Sequence, residues 1–115
     1  MRKSSTIFLI FILLTSCNNK GIKTGKSLYL ENACNTCHSI NGDRMIGPSF
    51  KNLYNKKRFL INGDVIIANK DYLIESILYP EKHIVKSYPN LMGSYKKILT
   101  TVEIDSLIEF IKNQN

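Results

Sequence analysis

The pentapeptide Cys34-Asn35-Thr36-Cys37-His38 constrains this chain more than any other stretch. The first helical periodicity runs into it, so both thiols emerge at the end of a helical turn with an imidazole directly after the second. Three chemistries use a Cys-x-x-Cys pair. A thioredoxin-like redox pair wants a βαβ context that the pattern of apolar residues does not provide. Half of a zinc site wants four ligands, where only Cys34, Cys37, His38 and the distant His83 are at hand. The third is haem attachment: each thiol adds across one vinyl group, and His38 is placed to ligate the iron.

Size sharpens the choice. The 115 residues allow one domain at most, and the N-terminus should be set aside from it. Arg2 and Lys3 precede an unbroken apolar run from Ile7 to Leu14, too short for a bilayer that needs roughly 20 residues, so the run reads as an export signal. Leu14-Thr15-Ser16-Cys17 then resembles the lipobox of bacterial lipoproteins, whose cysteine is acylated and becomes the mature N-terminus. The expected organisation is a lipoprotein signal peptide at 1–16, a lipidated tether at 17–23 and a domain at 24–115. Several acyl chains on Cys17 would anchor the protein stably outside the cytoplasm, whereas a single chain would not.

The mature chain from Cys17 has 99 residues, with fourteen Lys and Arg against nine Asp and Glu. A domain of that size buries only about 60–70% of its unfolded surface and needs a staple. With Cys17 acylated, a Cys34–Cys37 disulfide would close too short a loop to help much. Covalent haem supplies what is missing. The 43% hydrophobic and 22% charged content excludes a disordered, collagen-like or multi-span chain. The basic excess points to acidic partners or anionic surfaces and says nothing about fold.

Along the chain, Gly25, Leu28, Tyr29 and Ala33 share one helical face, which predicts a first helix from Thr24 to Ala33. Residues 39–57 read as a loop with one helical turn around Phe50 to Tyr54. Arg58 to Ile61 and Val65 to Ala68 flank Asn62-Gly63-Asp64, a hairpin-like turn near residues 58–68. Asn69 caps a helix over Lys70 to Tyr79 with Leu73, Ile74, Ile77 and Leu78 inward, and Pro80 stops it. In the last helix Thr100 and Glu103 form a capping box, and Leu99 and Ile104 staple across it. Ile104, Leu107, Ile108 and Ile111 make its apolar face, and Lys112 suits the dipole at its end. The sum is an all-α chain of three main helices and long loops, with too little helix to close a core alone.

From Gly25 to Lys112 the chain resembles class I c-type cytochromes, most closely the cytochrome domain fused to subunit II of some haem-copper oxidases. The resemblance rests on Gly25-Lys26-Ser27-Leu28-Tyr29 ahead of Cys34-x-x-Cys37-His38. Gly47-Pro48-Ser49-Phe50, Leu53-Tyr54, Tyr72 through Pro80, Ile84-Val85, Tyr88 and Met92 follow in order. It implies a small cytochrome c fold around one covalent haem c. Met92 would be the sixth iron ligand opposite His38, and the Pro48 carbonyl would orient the His38 ring. By the same resemblance Phe50, Leu53 and Leu73 pack on the haem or serve as plain core, Tyr54 and Tyr88 reach a propionate or are half-buried core tyrosines, and Met45 is a packing residue. His83 is a rival sixth ligand or an exposed loop histidine. The family's usual Met-Pro is here Met92-Gly93, which stiffens the loop less and eases detachment of the ligand.

The function so implied is a monohaem electron carrier, exported and lipid-anchored, facing the periplasm or cell exterior. It would move single electrons between membrane-associated redox proteins, such as a dehydrogenase and a terminal oxidase. A six-coordinate iron leaves no substrate site, so no enzymatic activity is expected; the alternative is a peroxidase-like haem enzyme or small-ligand sensor with a labile Met92. Lys82, Lys86, Lys96 and Lys97 near the Met92 loop would steer an acidic partner. Nothing in the sequence suggests nucleic-acid binding.

Overall fold

Thr24 opens the first helix of the computed structural model, which describes residues 21–115; the expected signal segment and Cys17 lie outside the described residues. The Thr24 hydroxyl accepts from the Ser27 amide at 3.1 Å, satisfying a free donor of helix α1, Gly25–Glu31. The helix stops two residues before the expected Ala33. Ala33 sits in the left-handed region at φ 56°, and the Asn32 side chain donates back to the Leu28 carbonyl at 2.9 Å. A three-residue 3-10 turn, Cys34–Thr36, follows directly.

The hairpin pairs β1, Lys57–Phe59, with β2, Val65–Ile67, in antiparallel register, Phe59 opposite Val65 and Lys57 opposite Ile67. Each arm is one residue shorter than expected; β1 begins one residue earlier and ends two earlier because Leu60 and Ile61 turn to other partners, while β2 starts at Val65 as expected. Leu60 bridges Val85, and the Ile61 amide donates to the Ile84 carbonyl at 2.9 Å. Gly63 takes φ +92° in the turn, a conformation that favours glycine. The helical turn expected around Phe50 to Tyr54 is absent. Asn52 and Asn55 lie at φ 54° and 63°, which breaks the stretch into separate turns.

Helix α2, Lys70–Leu78, is capped by the Asn69 side chain, which accepts from the Tyr72 amide at 2.9 Å. It ends one residue early because the residue before proline avoids helical geometry; Tyr79 has ψ 69° and Pro80 begins a short 3-10 turn. Helix α3, Thr101–Lys112, has the full capping box, with Thr100 Oγ1 accepting from the Glu103 amide and Glu103 Oε2 from the Thr100 amide at 2.9 Å. Thr100→Ala should therefore cost about 1 kcal/mol. Thermal denaturation should show a fall of about 4–8 °C in Tm.

Helices α1 and α3 cross where Gly25 meets the Ser106 carbonyl and the Phe110 Cβ, an approach that leaves no room for a side chain. Leu28, 1% exposed, fills the seam, and Ile104, Leu107, Ile108 and Ile111 bury the expected face of α3. Leu73 and Ile77 from α2, with Phe50 and Leu53 from the loop, complete the core. One side of that core is open.

Candidate functional site

A cavity of about 320 Å³ occupies that opening, lined by residues from both halves of the chain. Cys34, Cys37 and His38 lie on one side of the sequence, with Gly47, Pro48, Phe50 and Leu53 from the loop after them. Arg58 comes from β1, Leu73, Ser76 and Ile77 from α2, and Tyr88, Met92, Gly93 and Tyr95 from the segment before α3.

The local fold explains why the pentapeptide presents as it does. Left-handed Ala33 turns the chain out of α1, and the amides of Cys37 and His38 both return to the Cys34 carbonyl, at 3.2 and 2.8 Å. Both thiols are free and half-buried. Burial pushes the Cys34 thiol above its ordinary pKa. A thiol–disulfide catalyst needs the opposite shift, and the two described strands form an antiparallel hairpin, with no βαβ unit. The zinc alternative lacks its ligands: among the described residues no three His, Cys, Asp or Glu side chains converge.

His38 is held on three sides. Its Nδ1 lies 2.7 Å from the Pro48 carbonyl, which can only accept, so Nδ1 carries the proton and Nε2 keeps its lone pair. Phe50 stacks on the ring at a centroid distance of 4.8 Å and 18° between planes. Gly47 lies against the ring so tightly that a Cβ there would fall 2.7 Å from Nδ1 and 2.9 Å from Nε2, closer still to Cε1. The Tyr29 hydroxyl donates to the His38 carbonyl at 2.6 Å. Burial lowers the pKa of His38, with the Pro48 carbonyl opposing, so the imidazole is neutral at pH 7 as a metal ligand requires.

Met92, 38% exposed, lines the same cavity, whereas Met45 lies outside the lining and is 37% exposed rather than packed. Gly93 has no heavy atom within 4 Å of where a Cβ would stand. Arg44 joins the two loops that flank the cavity: Nη2 donates to the Ser87 carbonyl at 2.6 Å, and Cζ sits 4.4 Å over the Tyr88 ring.

Several side chains stand elsewhere than the sequence suggested. His83 is not an exposed loop histidine; its side chain is 15% exposed, lines the cavity, bonds Glu75 through Nε2 at 2.5 Å and stacks on Tyr72. Lys82 and His83 together hold the Glu75 carboxyl below the usual carboxylate range. Tyr54 is not part of the cavity lining and lies under Lys112, although Tyr88 does line it. Lys82, Lys86, Lys96 and Lys97 are exposed, with Lys82 paired to Glu75 at 2.6 Å and Lys96 over the Tyr79 ring.

Two cavity residues went unread in the sequence. Arg58 Nε and Ser76 Oγ are the buried side-chain polar atoms without a partner among the described residues, and both line this cavity. The signal for Arg58 was alternation: it shares the inward face of β1 with Leu60. Buried polar groups without partners are costly and rare, so a cavity that collects two of them implies a polar-edged occupant.

The Cytochrome c family model matches residues 22–115. The chain belongs to the cytochrome c family. No curated protein matches it. A cytochrome c holds one haem c by thioether bonds from its Cys-x-x-Cys-His motif, here Cys34 and Cys37, and uses it for electron transfer. The cavity suits that group. Its apolar walls match a porphyrin, and the unpartnered Arg58 and Ser76 offer donors to a carboxylate-bearing edge.

Proposed function

We propose that this cytochrome c carries single electrons between membrane-associated redox proteins outside the cytoplasm, tethered by acylated Cys17, with His38 and Met92 as the axial iron ligands. One observation carries the axial assignment: the cavity that holds the Pro48-oriented His38 ring is also lined by Met92. When bound, the haem supplies one-electron Fe(II)/Fe(III) chemistry, its potential raised by a thioether ligand. Pro48 fixes the tautomer of His38 and raises the basicity of Nε2. Leu53, Leu73 and Ile77 keep water from the cavity and limit the solvent rearrangement that accompanies a change of charge. Lys96 and Lys97 attract an acidic partner toward the cavity mouth. The resemblance to the cytochrome domains of oxidase subunit II supports a terminal oxidase as acceptor and a dehydrogenase as donor.

Arg2 and Lys3 ahead of the apolar run from Ile7 to Leu14 support export, and domain boundaries of 1–16, 17–23 and 24–115 complete the proposal. Spectropotentiometry of the purified protein should give a single one-electron Nernst curve, and the reduced form should not bind carbon monoxide. Two-electron behaviour or ready carbon monoxide binding in the unmodified protein would count against the carrier and for the peroxidase-like reading, which the unpacked Gly93 favours. Cys17→Ser should abolish the acylated mass and move the protein out of the membrane fraction or leave it uncleaved. An unchanged mass and fractionation would refute the anchor.

A further inference from the structure

The outer face of the hairpin is apolar, and no described element covers it. Strand alternation turns Arg58 and Ile66 toward the cavity side and leaves Phe59, Val65 and Ile67 on the other, 59%, 52% and 42% exposed. Ile61, at 66%, continues the patch beyond β1. An antiparallel sheet normally shows polar residues to water, so four large apolar side chains together mark a contact surface. Basic residues frame it. Lys57 stands opposite Ile67 on the same face, Lys56 precedes it, and exposed Lys86 donates its amide to the Phe59 carbonyl at 2.8 Å, which sets the two residues side by side. The nearby carboxylate, Asp64, is at the far end in the turn and is bonded by Asn62 at 2.9 Å.

We propose that this face rests in the headgroup layer of an anionic bilayer, with Phe59, Ile61, Val65 and Ile67 among the upper acyl chains and Lys57 and Lys86 at the phosphates. The proposal rests on the lipid-anchor reading for proximity: the tether at 17–23 spans at most about 25 Å, so the domain works at the membrane surface. Charge selects the occupant. Lysines around an apolar centre can reach phosphates while their stems lie along the apolar side chains, and this combination binds anionic lipid. No described helix is long and apolar enough to cross a membrane, so the contact is interfacial. Arg58, on the inward side of the same strand, lines the haem cavity. A hairpin lying flat would therefore place the haem cavity on the side of the sheet away from the lipid.

With Cys17 acylated and Cys34 and Cys37 committed to haem, Val65→Cys introduces the one free thiol. The mature holoprotein, nitroxide-labelled there, is reconstituted in protein-free vesicles of phosphatidylcholine with or without phosphatidylglycerol. Collisions with oxygen should exceed those with a water-soluble nickel chelate in anionic vesicles, while a label at Val102→Cys on α3 should report water. Lys57→Glu with Lys86→Glu should return the Val65 label to water without altering the haem absorption spectrum. A label that stays in water in anionic vesicles overturns the proposal, as does burial that appears only when membrane proteins are added, which would identify a protein partner. Equal burial in neutral vesicles removes the charge selection. Mass spectrometry of the same sample reports acylation separately, so an absent anchor and a non-inserting face are told apart.

Discussion

Met92→Ala should leave the haem covalently attached and lower the reduction potential on the order of 0.1 V, within the ~0.8 V range that axial ligation spans. With Met92 as the proposed sixth ligand, its thioether would favour ferrous iron, so its removal would stabilise the ferric form and admit water or small ligands. Spectropotentiometry reads the first effect, and carbon monoxide binding by the reduced protein reads the second. The near-infrared methionine-to-iron band of the oxidised protein should vanish. Met45, outside the cavity lining, should show none of these effects when replaced. If Met92→Ala keeps spectrum and potential, His83 or a lysine holds the sixth position. His83 already lines the cavity, though its Nε2 is engaged with Glu75. Lys96→Glu with Lys97→Glu separates energetics from encounter: electron transfer should slow at constant potential, and the effect should fade at high salt, where exposed charges are screened within about 3 Å at 1 M.

Gly47→Ala should be nearly as damaging, for a steric reason. The added methyl would meet three atoms of the His38 ring, which has no free direction to move: Phe50 stacks on it and Pro48 holds Nδ1. Overpacking costs about 1–3 kcal/mol, and a lost buried hydrogen bond leaves a similar penalty. Together they remove on the order of 2–6 kcal/mol of a typical total of about 5–15. The yield of haem-loaded protein should fall, and whatever forms should melt at least about 10 °C lower. Gly93→Ala is the matched control: nothing lies within 4 Å of its Cβ position, so Tm should stay within a degree or two, while a stiffer loop should slow any loss of the sixth ligand. Equal damage from both substitutions would mean that His38 is not held as described.

Much of the fold was legible because its signals were local. The Thr100–Glu103 capping box and the apolar spacing from Ile104 to Ile111 fix α3 within a few residues of sequence, and the structure reproduces both. Asn69 and Pro80 did the same for α2. Misreadings arose where distant parts decide. Ala33 has good helix propensity, yet it takes a left-handed conformation to aim Cys34 into the cavity. Asn52 and Asn55 turn the stretch around Phe50 to Tyr54, where one helical turn was expected. Their asparagine identity was the available clue. His83 looked like a loop residue because nothing in the sequence announces that Glu75, eight positions earlier, captures it. Gly47-Pro48 was recognisable as a motif, but the close approach of Gly47 to the His38 ring belongs to three dimensions.

The seam between α1 and α3 has a consequence for biogenesis. Gly25 and Phe110 belong to opposite ends of the chain, and the Asn52 amide is satisfied by the Gln114 carbonyl at 2.6 Å. A chain emerging from its N-terminus therefore lacks the α3 side of its first helix's packing until that last helix has appeared. Such non-local closure delays folding, and on the proposed export route it would keep the polypeptide threadable during passage across the membrane. The Cys34 and Cys37 thiols then remain open to the attachment machinery for as long as the C-terminal helix is missing. Fusing a bulky, slowly released segment after Asn115 should lengthen that interval, whereas a circular permutant that joins α3 directly ahead of α1 should shorten it.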